Sequence, residues 1–275
     1  MLIVRFLLAS HPTPLYGRVR RETPQILEVL SGDPLRGPVE PTGQTLPYEP
    51  DVWQAAGERS PVLLLPPVVP SKIVAIGSNY RNHAKEMGKP VPDEPILFMK
   101  PPSALLPPGG AIVRPPGYER VDYEGELAVV VGQRMHRTPP EAVAAHIFGY
   151  TALNDVTVRD LQKKDGQFTR AKGFDSFCPV GPAIATDLDP EHFRVRTRKN
   201  GVQMQDTQGD ELVFSVLRLV SFISYVMTLE PGDVISTGTP AGVSNLNPGD
   251  VVEIELDGVG ILRNTVVAGQ PRPAP

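Results

Sequence analysis

A single cysteine, Cys178, stands in a chain of 275 residues. That excludes an intrachain disulfide and a zinc site built from several thiolates. No stretch of 18 apolar residues is free of charge, so no membrane span is expected. The longest candidate, Leu212 to Leu229, carries Arg218 and three serines and reads as a buried helix. A basic block is missing as well. With 27 Lys and Arg against 31 Asp and Glu the net charge is -4, which argues against nucleic acid as the main partner. Glycine-rich phosphate loops are absent, so nucleotide binding is not expected. Internal repeats and low-complexity runs are absent too. What the chain holds in quantity is proline, 32, and glycine, 25, about a fifth of all residues. Proline breaks helix interiors and so excludes a largely helical bundle. The periodic apolar segments that survive argue against disorder.

The opening Met1 to Ser10 could pass for a signal peptide, but Arg5 interrupts its apolar run and prolines follow at 12 and 14. A first strand over Ile3 to Ala9 is expected instead, and with the lone cysteine this points to a cytoplasmic protein. Residues 1–66 read as short strands between turn signals and form a small β-rich N-terminal domain. The stiff connector Leu65-Pro66-Pro67-Val68-Val69-Pro70 marks the boundary, and 67–275 form a second, larger domain.

Within that second part, Lys72 to Gly77 and Glu126 to Val131 are expected strands, the latter buried on both faces. Asn79 to Met87 is expected as a short helix, with Asn79 as cap and Gly88 as stop. Pro139 to Ile147 and Val158 to Lys164 are further short helices. Asn200-Gly201 between alternating segments signals a hairpin. Leu212 to Leu229 is the one long helix, and closing strands follow it. The class is α+β and β-rich.

Three groups of residues could carry chemistry. In a strand, Glu124 and Glu126 face one side, with Cα atoms about 6–7 Å apart. At the mouth of a buried strand two like charges repel and lose hydration unless a cation sits between them. A solvated strand end would also explain them. Asp155 stands at the end of an apolar segment just before a helix, where helix capping is its ordinary role. Three carboxylates without histidine or thiolate would favour magnesium, manganese or calcium over zinc. His83 and Glu86 lie three apart, so on a helix they are neighbours. A carboxylate beside imidazole suits a general base with its orienter, and suits a surface pair equally. Cys178 and the other four histidines stand in unremarkable contexts.

Six segments in order resemble the fumarylacetoacetate hydrolase family. They are residues 77–87 (GSNYRNHAKEM), 95–101 (PILFMKP), 123–130 (YEGELAVV), 154–162 (NDVTVRDLQ), 170–175 (RAKGFD) and 236–243 (STGTPAGV). The match runs over roughly residues 68 to 268, and residues 1–66 look like the small N-terminal domain of a bacterial subset. The resemblance implies a mixed β-roll or barrel catalytic domain, a homodimer, and one magnesium or manganese ion per subunit, with calcium as a third candidate. It places Glu124, Glu126 and Asp155 on the family's metal ligands and His83 and Glu86 on a dyad carried by a lid helix. Lys172 falls near the metal-bound oxygens, Gln162 faces the substrate, and Thr239 lies in a loop closing around the substrate carboxylate. Arg81 is expected among the substrate contacts.

The implied activity is metal-dependent chemistry at carbon–carbon bonds of 2-oxo or enol diacids. Isomerisation or decarboxylation of hydroxymuconate-type diacids and acylpyruvate hydrolysis lead. Oxaloacetate decarboxylation and sugar-acid dehydration use the same site. A non-catalytic binding protein on this scaffold is the alternative of a different class. No membrane partner is expected.

Overall fold

The computed structural model describes residues 1–56, 60–88 and 90–270. Strands dominate it, as the proline count and the short alternating segments require. The large sheet has twelve strands. Its main path runs Pro41–Pro47, Ile26–Leu30, His11–Val19, Leu2–Leu8, Cys178–Ala185, Ile147–Asn154, Gly125–Val131, Val234–Ser236, Ile73–Gly77 and Ile96–Lys100. Pairing is mixed: Ile73–Gly77 runs parallel to Val234–Ser236 and antiparallel to Ile96–Lys100. Strand Leu2–Leu8 pairs with Cys178–Ala185, so the N-terminal strands extend the same sheet. A five-stranded sheet holds Val202–Gln208, Arg194–Lys199, Val251–Leu256, Gly260–Ala268 and Ala111–Arg114.

Strand Gly125–Val131 is buried along its whole length because neighbours cover both edges and both faces. Leu127, Val129 and Val131 pack with Leu219, Val220 and Ile223 of the longest helix and with Ile254 and Leu256 of the small sheet. Ala128 and Val130 pack on the other side with Leu153, Val180 and Ile184. Each buried Val, Leu or Ile side chain among them contributes about 1.5–3 kcal/mol by leaving water. This explains the unbroken apolar run. At the hairpin, Asn200 and Gly201 take φ of 52° and 79°, the left-handed pair that a two-residue turn matching strand twist requires.

Two expected helices are shorter than their sequence patterns. The long one spans Val216–Val226, and the segment expected from Asn79 to Met87 is helical over Arg81–Glu86 with Tyr80 at the cap position. One residue accounts for the late start of both. Asn79 is not a cap; its Oδ1 accepts from Phe214 N (2.9 Å), its Nδ2 donates to Thr237 O (2.8 Å), and its carbonyl accepts from Val213 N (2.8 Å). These bonds hold residues 212–214 extended beside Tyr80 and take them out of the helix. Asp155 caps no helix either, since that helix starts at Arg159 with Val158 at the cap position. Among the described residues no helix is long and apolar enough to cross a membrane.

Candidate active site

The antiparallel register sets Gly125 opposite Asn154. Glu124, Glu126 and Asp155 are thereby brought together from segments thirty residues apart. A ligand oxygen from each lies within 4.8 Å of the others, and all three residues are buried. Asn154 Oδ1 accepts from Glu124 N (2.9 Å), and Asp155 N donates to Glu124 O (2.9 Å), which fixes the two backbones. No side chain fits at Gly125 between the glutamates, because a Cβ there would lie 2.0 Å from Thr197 Oγ1.

Cations surround the cluster. Lys172 Nζ donates to Glu124 Oε2 (2.9 Å), Asp155 Oδ2 (2.5 Å) and Thr157 Oγ1 (2.8 Å). Lys100, fully buried, sits 2.8 Å from Asp155 Oδ1 and also donates to Lys172 O (2.5 Å). Arg159 bridges Glu124 Oε1 (2.5 Å) and Asp122 Oδ2 (2.8 Å), and its Nη1 donates to Gln162 Oε1 (2.9 Å). Among the described residues no cation pairs directly with Glu126. Its Oε2 accepts from Ser236 Oγ and from Gly238 N (2.7 Å).

The protonation energetics follow this division. Burial pushes the Glu124 carboxyl up, but Arg159 and Lys172 overcome that and hold it well below the usual carboxylate range. Burial and then the charges of Asp155 and Glu124 push Glu126 well above that range. Burial would lower the Lys172 pKa, yet Asp155 and Glu124 outweigh it and raise it. The cluster is thus short of positive charge on the Glu126 side. Its oxygens, buried and convergent with no histidine or cysteine among them, fit a hard divalent cation. Asp155 Oδ1, buried without a well-directed hydrogen bond, agrees with that.

A cavity of about 50 Å³ opens on this cluster. His83, Glu124, Glu126, Gln162, Lys172 and Thr239 line it, with Arg159 beside them and Ile76, Met87, Ile96, Phe98 and Phe168 as its apolar wall. Phe98 and Phe168 meet edge to face at 5.3 Å between centroids. Lys172 Nζ stands 4.8 Å from the Phe98 ring centroid. Asp155 lies beneath the cavity rather than on its wall, and Arg81 is exposed and outside it. Glu86 is tied in through the helix Arg81–Glu86: one oxygen lies 3.1 Å from His83 Nδ1, and the other accepts from Gly242 N (3.0 Å). A larger cleft at Arg5, Tyr16, Asp33 and Arg36 shares no lining residue with this cavity.

Sequence reasoning missed Lys100, Arg159 and Asp122. All three stand in or beside segments that carry the family resemblance, but they read there as ordinary charged residues. A buried role shows only once the sheet aligns them with Asp155 and Glu124.

The model of the family described as fumarylacetoacetate (FAA) hydrolase, C-terminal, matches residues 72–267, and that described as Rv2993c-like, N-terminal, matches residues 1–67. The chain is 37% identical to an oxaloacetate tautomerase, mitochondrial, of Xenopus laevis, over 97% of this chain and 90% of that one. The structure of a 5-carboxymethyl-2-hydroxymuconate delta-isomerase from Mycobacterium smegmatis superposes with a TM-score of 0.86 at 38% identity, covering 98% of this chain and 100% of that chain. A 2-hydroxyhepta-2,4-diene-1,7-dioate isomerase from Mycobacterium marinum gives 0.84 at 37% identity, covering 98% of both chains. With that C-terminal family model matched across most of its length and similar folds matched from end to end, this chain is a member of the fumarylacetoacetate hydrolase family.

Proposed function

We propose that the chain is a divalent-metal-dependent enzyme that relocates a proton on 2-oxo or enol diacids, as an isomerase or keto–enol tautomerase. The observation that carries this reading is the meeting of the three buried carboxylates with the His83–Glu86 pair at one small cavity. Glu124, Glu126 and Asp155 would hold the cation, magnesium or manganese. When bound there it supplies Lewis-acid polarisation of the substrate's oxygens.

The chain's own residues supply the rest. Glu86 faces His83 Nδ1, which leaves Nε2 to accept or return a proton at a substrate atom. Lys172 and Arg159 add fixed positive charge where negative charge develops. Gln162 and Thr239 orient the substrate, and Phe98 and Phe168 keep water out. A cavity of about 50 Å³ holds no more than a few waters, so the lid helix must move to admit substrate. The names of the relatives, two isomerases and a tautomerase, support the same class.

The test is a panel of hydroxymuconate-type diacids, oxaloacetate and acylpyruvates with Mg²⁺ and with Mn²⁺. Isomerisation or enol–keto exchange should be the fastest reaction, and it should stop on chelation. Acylpyruvate hydrolysis as the fastest reaction would overturn the isomerase reading.

A further inference from the structure

We propose that Gln205 is a positioning residue that fixes Thr239 against the segment carrying two of the carboxylates, and that it sets which way the Thr239 hydroxyl points its proton. Gln205 lies on strand Val202–Gln208, outside the cavity wall, and is 2% exposed. Its Oε1 accepts from Gly125 N (3.1 Å), between Glu124 and Glu126. Its Nε2 donates to Pro240 O (2.9 Å) and to Thr239 Oγ1 (2.8 Å). The amide orientation is forced, since Gly125 N can only donate and Pro240 O can only accept.

The same logic fixes Thr239. Its hydroxyl accepts from Gln205 and donates to Gly125 O (3.0 Å). The proton is thereby committed, and what remains for the cavity is a lone pair. A substrate group meeting that oxygen must donate, as an enol or alcohol O–H does and a carboxylate does not. A carboxylate in this loop must look to backbone N–H groups instead. Close packing leaves no slack in the arrangement. A Cβ at Gly242 would lie 2.1 Å from Met204 O, so strand and loop touch backbone to backbone.

The donor rule rests on the proposed reaction with enol acids; the positioning role does not. Two variants separate donation from acceptance. Gln205→Glu still accepts from Gly125 but has at most one proton, and none when ionised, for the two acceptors Thr239 and Pro240. Gln205→Leu neither accepts nor donates. Amide exchange without substrate should quicken about ten-fold in residues 237–242 for both variants, about the worth of one hydrogen bond. Unchanged exchange in both would overturn the positioning role, whatever the enzyme's substrate.

With the panel substrate that the wild type turns over, both variants should raise KM about ten-fold. They should leave kcat and calorimetric Mn²⁺ affinity within about three-fold. Thr239→Val should show the same rise in KM, and Gln205→Glu combined with Thr239→Val should be no worse than either alone. A fall in kcat with weakened Mn²⁺ binding, or additive losses in the double variant, would overturn the inference. A wild type inert toward the whole panel would count against the proposed function alone, because the exchange result still decides the role of Gln205.

Discussion

Replacing Lys172 with methionine removes the charge at the centre of the site while nearly keeping its volume. The Lys172 side chain is 3% exposed, and its ammonium contacts Glu124, Asp155 and Thr157 at 2.5 to 2.9 Å. Breaking such a buried pair from one side costs about 3–5 kcal/mol, because the partner carboxylates stay buried with less compensation. For 275 residues, an unfolding entropy of about 2.1 cal/mol/K per residue turns that into a melting temperature lower by about 5–9 °C. A divalent cation restores positive charge to the same oxygens. At a hundred times its Kd it adds about 2.7 kcal/mol, and more in the variant, where the carboxylates are less neutralised. Calorimetric melts in chelator and in Mn²⁺ should therefore show the larger metal-induced rise in Lys172→Met, with activity lost in both conditions. A chelated variant melting within about 2 °C of the wild type would show that Lys172 does not hold the cluster together.

Glu126→Gln removes one ligand oxygen and a carboxyl whose charged form burial and its carboxylate neighbours already disfavour. The metal-free protein should melt no lower than the wild type, while titration calorimetry detects no Mn²⁺ binding and turnover is abolished. His83→Ala should cut turnover by about 10²–10⁴-fold with Mn²⁺ affinity unchanged, and Glu86→Gln should do less, since it loses orientation rather than the base; steady-state kinetics beside calorimetry check both. On the small sheet, hydrogen bonding from Arg196 and Arg198 holds Glu255 below the usual glutamate range. That stability is present above the unfolded pKa and is lost as pH falls through the lowered folded value. The melting difference between wild type and Glu255→Gln should thus shrink on acidification, and a difference independent of pH would refute the assignment.

Local periodicity was enough for several parts of this molecule. The β-branched run after Glu124 announced a strand buried on both faces, and Gly125–Val131 is one. Asn200-Gly201 announced its hairpin, since few other pairs accept positive φ at both positions. The spacing of His83 and Glu86 announced neighbours on one helix turn, and they lie 3.1 Å apart. Each of these follows from geometry within a few residues. The late starts of the two helices do not, because Asn79 reaches across 135 positions to hold Phe214 extended. Nor do the cations at the site. Lys100, before Pro101 and Pro102, carries no local sign of burial, and Arg159 reads as one more charged residue of the expected helix from Val158 to Lys164. Their partners are chosen by sheet register, Gly125 opposite Asn154 and Ala128 opposite Ser236, and by helix packing over that sheet. Sequence determined which carboxylates could meet; the tertiary structure decided which charges surround them, because low-dielectric burial makes ion pairing depend on ångström placement between segments far apart in the chain.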